Sequence, residues 1–286
     1  MRVIAIRDPR RARENAFLRI RTKPGAARPI ALALARRDDV SWLTLEAGGA
    51  ELTCSLRTDD PRDRDALVLE RLPQVAHVTD VTVATLLHNF VVGRGRRPTF
   101  EVMLDAAEEE ALGPPRPRPG RLPEGAEEPL RPDDEPLLRL LARDGRSSYA
   151  ALAAATGRGE ASVARRVEQL LERGALFVST EIATVPLGLR TLATLWLTVA
   201  PADLVAVGEE LTRHPEVEFV GAVSGRANLV VSLLCRDNAA LYGYLTGPLT
   251  AVAGIAGSEV VVAGARLKQA GTVMDGDRLP NPLAEG

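Results

Sequence analysis

Residues 137–174 read LLRLLARDGRSSYAALAAATGRGEASVARRVEQLLERG, and their punctuation divides them into three short helices. Asp133 or Asp134 can cap a first helix carrying Leu137, Leu138, Leu140 and Leu141, which Gly145 ends. Ser147 or Ser148 caps a second helix from Tyr149 to about Ala155, and Gly157 makes the turn that follows. A third helix runs from about Glu160 to Arg173 and stops at Gly174. Two helices joined by a short glycine-containing turn are the supersecondary unit that lays its second helix in the major groove of DNA.

On the third helix Val163, Val167 and Leu170 fall on one stripe. At about 100° per residue, Ala161, Arg165 and Glu168 point away from it, flanked by Ser162 and Gln169. Arg165 is placed to reach a base edge, with guanine preferred. Arg158 and Arg166 are expected at phosphates, which set register rather than sequence choice. From Arg139 to Arg173 there are seven positive and four negative side chains, a net +3. The candidate DNA-facing set is Ser148, Tyr149, Arg158, Glu160, Ala161, Ser162, Arg165, Arg166 and Gln169.

Outside this unit the chain repeats itself. A shift of 177 residues aligns its two ends without a gap: Pro9 falls on Pro186, Pro24 on Pro201, Val40 on Val217, Gly48 on Gly225, Leu52 on Leu229 and Asp60 on Asp237. Each copy reads strand, helix, strand, strand, helix, strand. In the second copy Leu195, Leu197 and Val199 alternate with Thr194, Trp196 and Thr198, and Pro201 opens a helix with Leu204, Val207 and Leu211 on one stripe. The first copy expects strands over about 16–22, 40–47, 52–58 and 78–87, with helices over about 26–37 and 60–72. That order predicts α+β architecture: two ferredoxin-like βαββαβ domains flanking a central three-helix, winged helix-turn-helix. Both helices of each copy cover one sheet face. The bare faces, carrying Phe17 and Trp196, are expected to pair copy with copy or chain with chain.

The expected divisions are 1–92 for the first α/β domain, 93–132 for a short helix and linker, 133–177 for the helix-turn-helix, 178–270 for the second α/β domain and 271–286 for a flexible tail. Gly113 to Pro132 holds seven prolines, the composition of an extended linker. Met1 maps onto Val178, just beyond the helix-turn-helix, so a chain of two full units would need another reader before Met1.

Composition narrows the function classes. The 286 residues suffice for two to three domains, and 45% are hydrophobic. Net charge is −2, but residues 1–28 carry nine basic side chains against Asp8 and Glu14. Cys54 and Cys235 are too few for a disulfide framework or a zinc site and read as core residues. The sequence offers no nucleophile–base pair, paired carboxylates, metal cluster or phosphate loop, so neither enzyme chemistry nor a cofactor is expected. No run approaches a membrane span and no apolar signal core follows Met1, so a cytoplasmic protein without a membrane partner is expected.

The stretch Leu138-x-Leu140-Leu141-x-x-Asp144-Gly145-Arg146-x-Ser148-Tyr149-x-x-Leu152-Ala153 resembles the start of the DNA-binding domain of the Lrp/AsnC family. Thr156-Gly157, Ser162-Val163, Arg165-Arg166-Val167, Leu170 and Gly174 continue the likeness. The βαββαβ domain that follows, with the turn Gly225-x-x-Asn228-Leu229, looks like the family's regulatory (RAM) domain. The resemblance implies a transcription regulator that binds double-stranded DNA, assembles into homodimers or larger rings through its regulatory domains, and takes a small effector, typically an amino acid, where those domains pair. It places effector residues at Gly48, Gly49 and Glu51 in one copy and Gly225, Arg226 and Asn228 in the other. The family's turn often ends in Asp. Asn228 keeps one acceptor without the charge, and Glu51 keeps the charge on a longer arm, so the two copies need not take the same ligand. Two rivals stand beside this reading. Some relatives resemble siroheme decarboxylases, for which this chain offers only His77, His88 and His214. The other rival is an effector-binding or assembly protein that does not bind DNA.

Overall fold

A computed structural model describes residues 2–7, 14–58, 60–90, 130–173 and 175–280. In chain order it runs β1 (Arg2–Arg7), then copy 1: β2 (Glu14–Thr22), α1 (Ala27–Ala35), β3 (Val40–Glu46), β4 (Glu51–Thr58), α2 (Pro61–Asp65, prolonged by a π-helical stretch Ala66–Arg71) and β5 (Val78–Phe90). The helical unit follows: α3 (Glu135–Arg143), α4 (Tyr149–Thr156), α5 (Glu160–Glu172) and β6 (Leu176–Glu181). Copy 2 is β7 (Thr191–Val199), α6 (Leu204–Leu211), β8 (Val217–Val223), β9 (Leu229–Cys235), α7 (Asn238–Thr246) and β10 (Ile255–Gln269), closed by β11 (Thr272–Val273).

Local turn chemistry, repeated between the copies, sets these elements. Asp60 accepts from the Arg62 amide at 2.9 Å, and its repeat mate Asp237 accepts from the Ala240 amide at 2.8 Å, each satisfying an otherwise orphan donor at a helix start. Each copy has the antiparallel ferredoxin-like order, β3-β4-β2-β5 and β8-β9-β7-β10. Each buries its own core under its helices. Cys54 and Cys235 are buried free thiols, and burial pushes them up to about 12 and about 11.

The copies are related by an approximate twofold axis. Strand β1 pairs with β6, not with copy 1, and Val3 faces Thr180, its own mate at the 177-residue offset. This corrects the 1–92 boundary, because Arg2–Arg7 lies in a two-stranded ribbon with the helical unit. The bare faces do pack on each other. The rings of Phe17 and Trp196 meet edge-on at 6.3 Å, among Ala84, Val223, Val230 and Val261. That pairing lies within one chain, so of the two pairings read from the sequence the copy-with-copy one is present here.

The periodicity did not reveal a second connection. Strand β5 continues past its own sheet to pair with β8 of copy 2, and β10 continues to pair with β3 of copy 1. Eight strands of the described residues thereby close into a ring. Bulges at matching places, Leu86–His88 and Ala263–Ala265, turn each strand over. Ala84 and Leu86 therefore face the inter-sheet cluster, while Phe90 enters the core of copy 2. Leu267, its mate, enters the core of copy 1. Gly208 in α6 is explained by this crossing. A Cβ there would lie 2.4 Å from Phe90 Cζ, so a residue that costs a helix about 1 kcal/mol leaves room for the ring.

Other departures are small. The tail expected to be flexible begins with β11, which pairs with Lys268 and Gln269, and Asp275 bridges to Arg278. The helix and linker of 93–132 lie outside the described residues apart from 130–132. Truncating Phe90→Ala should cost about 3–5 kcal/mol and lower the unfolding midpoint of both copies together, measured by denaturant titration. Leu87→Ser, at a side chain two-thirds exposed, should leave the midpoint within about 0.5 kcal/mol.

Candidate nucleic-acid interface and ligand turns

The helical unit is built on Leu137, Leu138, Leu141, Leu152, Val163, Val167 and Leu170, which close one core with Leu176. The Ser148 hydroxyl accepts from the Ala151 amide at 3.2 Å and starts α4. Gly157, at φ 67°, ends α4 in the left-handed region that glycine tolerates. Gly159, in extended conformation, is the N-cap of α5.

Of the nine candidate DNA-facing residues, the structure leaves Ser148, Tyr149, Glu160, Ala161, Ser162, Arg165 and Gln169 exposed. Arg165 makes no hydrogen bond or ion pair among the described residues. Arg158 is half-buried, with Nη1 donating to the Asp133 carbonyl at 3.4 Å.

Arg166 must be reassigned. It is 3% exposed and forms a bidentate bridge to Asp134, Nε to Oδ1 at 2.9 Å and Nη2 to Oδ2 at 2.5 Å. It sits three residues after Val163 and four before Leu170, so it belongs to the inward stripe and cannot reach a phosphate. Asp134, fully buried, also accepts from the Arg131 amide at 2.8 Å. Burial works to raise its carboxyl. The Arg166 hydrogen bonds and charge outweigh that and hold it below the ordinary carboxylate range. Reading Asp134 only as a helix cap hid this partner.

The ribbon ties the reader to the rest. The Gly145 amide donates to the Val3 carbonyl at 2.9 Å, fastening the end of α3 to β1. At the far end of β6, the buried Glu181 accepts from Gln269 Nε2 at 2.5 Å, which links the reader to β10.

The two glycine turns lie where expected. Gly48 (φ 65°) and Gly49 (φ 89°) precede Glu51, and Gly225 (φ 117°) precedes Asn228. Their polar side chains are engaged by protein. Asn228 binds the backbone of Val199 twice, Oδ1 accepting at 2.9 Å and Nδ2 donating at 2.7 Å. Glu51 is buried and accepts from Arg19 Nε at 2.6 Å and Arg21 Nε at 3.1 Å. Gly48, Gly225 and Arg226 are exposed. A separate cavity of about 70 Å³ lies between β7, β9 and the β10–β11 end, with apolar walls at Leu192, Leu234 and Ala263 and polar groups at Arg190, Arg266 and Asp277.

None of the three histidines lines that cavity. His214 Nδ1 bonds the Tyr244 hydroxyl at 2.9 Å, His88 is exposed with its ring edge-on to Phe90, and His77 is exposed. Among the described residues no cluster of His, Cys, Asp or Glu could hold a metal, and no helix is long and apolar enough to cross a membrane.

Residues 133–171 match the AsnC-type helix-turn-helix domain, and residues 192–273 match the Lrp/AsnC ligand binding domain. The second half of the chain therefore carries the two domain types of the Lrp/AsnC family, an AsnC-type helix-turn-helix followed by a ligand binding domain. Its curated relatives are named as transcription regulators. An uncharacterized HTH-type transcriptional regulator of Pyrococcus abyssi is 28% identical over 130 residues, covering 45% of this chain and 82% of the relative. The HTH-type transcriptional regulator FL11 of Pyrococcus horikoshii is 24% identical over 135 residues, covering 47% and 89%. Both matched stretches lie within residues 133–273; copy 1 is related to the second of them by the 177-residue repeat and the approximate twofold. A likeness across the whole fold comes from the crystal structure of the siroheme decarboxylase NirDL, with TM-score 0.60, 13% identity, and 94% of this chain and 77% of that chain covered.

Asp134→Ala should destabilise the reader by about 3–5 kcal/mol, because it leaves the Arg166 guanidinium buried without a counter-charge. A carboxyl held below its unfolded value of about 3.9 stabilises above that value and ceases to do so as pH falls through its folded value. The gap in stability between wild type and Asp134→Ala should therefore narrow as pH drops below about 4, followed by helical circular dichroism.

Proposed function

We propose that the chain is a sequence-specific DNA-binding transcription regulator whose activity is modulated by a small effector, an amino acid or a related metabolite. The observation that carries this reading is α5. Its inner side is consumed by Val163, Arg166, Val167 and Leu170, and its outer side presents Ala161, Ser162, Arg165 and Gln169 unobstructed. A helix so divided supplies a flat, small-residue surface for a major groove with one guanidinium for a base edge. Arg158 sits at the start of this helix beside its exposed edge, within reach of the backbone.

Copies 1 and 2 already pair with each other, so one chain presents one reader among the described residues. Two half-sites then require two chains meeting through a surface other than the inter-sheet face. The effector part of the proposal draws on the matched ligand binding domain; the cavity beside Leu192, Leu234 and Arg266, at about 70 Å³, is smaller than the roughly 300 Å³ of a small-molecule pocket and would have to open to take an amino acid. The decarboxylase alternative shares the fold, but the three histidines are dispersed and converge on no common site.

In a mobility-shift assay on DNA from the gene's own upstream region, Arg165→Ala should weaken binding by about 1–3 kcal/mol, roughly 5- to 150-fold. Wild-type affinity should fall steeply with salt. Wild-type binding no stronger than to random DNA would remove the regulator reading. An amino acid that binds should raise the melting temperature, with about 2.7 kcal/mol of stabilisation at a hundredfold excess over its Kd.

A further inference from the structure

The approximate twofold places equivalent residues of the two copies in equivalent positions, yet the inter-sheet contacts are not equivalent. On one side of the axis the contact is aromatic. Phe17 of copy 1 lies against Trp196 and, at 5.5 Å, against Phe219 of copy 2. On the other side the mate of Phe219, Trp42, stays aromatic, stacked under Arg266, while the remaining positions are polar or charged. The mate of Phe17 is Thr194, the mate of Trp196 is Arg19, and the mate of Val223 is Glu46.

Two charged groupings result. Glu46 is fully buried and accepts from Thr53 Oγ1 at 2.6 Å and Thr44 Oγ1 at 2.8 Å in its own copy, and from Thr194 Oγ1 at 3.3 Å across the interface. Arg19 stacks over the Trp196 ring at 5.1 Å and reaches Glu259 of copy 2 with both terminal nitrogens, Nη1 to Oε2 at 2.8 Å and Nη2 to Oε1 at 2.7 Å. Its Nε holds Glu51 in its own copy. The bidentate geometry fixes direction as well as distance.

Homotypic pairings can be judged by exchanging mates. If copy 1 met another copy 1, Glu46 would face Phe17 where it now meets the Thr194 hydroxyl. Arg19 would find Thr82 where it now binds Glu259. If copy 2 met another copy 2, Glu259 would face Trp196 and lose its guanidinium. Each like-with-like pairing thus removes a matched contact: the buried Glu46 keeps Thr44 and Thr53 but is set against an aromatic ring, the costly case, and the half-exposed Glu259 loses its bidentate guanidinium. We propose that the inner face of copy 1 is a one-partner surface. It accepts the face of copy 2 and rejects a second copy of itself, with the Arg19–Glu259 bridge and the Glu46 hydroxyl cluster as the discriminating contacts. The chain is consequently closed to homotypic pairing of its sensor domains with another molecule of itself.

Charge reversal of the full chain tests this. Arg19→Glu and Glu259→Arg each oppose like charges within a chain, and each should lower the melting temperature when the variant is refolded alone. When the two variants are refolded together from urea, copy 1 of either chain matches copy 2 of the other. A two-chain species of twice the 30.6 kDa chain mass should then form and melt near the wild-type temperature. The 39 residues between Phe90 and Leu130 span up to about 130 Å, ample for such an exchange. Arg19→Gln mixed with Glu259→Gln restores no charge pair and should give no two-chain species. If a variant fails to fold alone but is recovered by its mate, the proposal holds. Absence of the mixed species, absence of thermal rescue, or equal dimerisation by the Gln pair would overturn it.

Discussion

The bulges at Leu86–His88 and Ala263–Ala265 turn the ends of β5 and β10 over, so that Phe90 completes one copy's core and Leu267 the other's. A ferredoxin-like sheet alone has a bare face and an open edge, and both invite association. Here one operation resolves both problems. The faces meet around Phe17 and Trp196, and the overhanging strands pair with the edges β3 and β8. Neither copy has a complete core without the other, so the two behave as one cooperative body carrying a small helical domain.

The reader hangs on this body by few but specific links. The β1–β6 ribbon, the Gly145–Val3 hydrogen bond and the Glu181–Gln269 contact run in series from α3 to the end of β10. The cavity lined by Arg266 and Ala263 lies on the same stretch of β10. A ligand there would touch the strand that Gln269 joins to the reader, which gives the proposed effector response a short physical route. Inside the reader, the buried Asp134–Arg166 bridge locks α5 against the start of α3, so the exposed face has a fixed orientation.

Much of this was legible in the sequence because local rules governed it. Pro, Gly and Asp at turns repeated at 177 residues; the cap read at Ser148 is a side-chain hydrogen bond in the structure, and the repeated Asp60 and Asp237 prove to be caps as well. The bare faces were legible too, since alternation shows which residues turn inward. Alternation does not show which strand lies next door, so the β5–β8 and β10–β3 pairings were hidden. A bulge adds one residue without a sequence signature in Leu86–His88. Arg166 was misread because its angular position at the border of the stripe is ambiguous, and its partner lies 32 residues away. Turn spacing marked the place of Glu51 and Asn228 but not the protein groups that engage them. Arg19 and Val199 take up those side chains only once the sheets are assembled.

Amide hydrogen exchange on the whole chain, with and without its target DNA, tests the account most directly. Without DNA, the amides of β5 and β10 that join the other copy should already be among the slowest. With DNA, added protection should centre on the first turns of α5 and on the α4–α5 turn. Fast exchange at Asn89 and Arg266 in the free chain, or DNA protection that spares α5 and falls elsewhere, would contradict it.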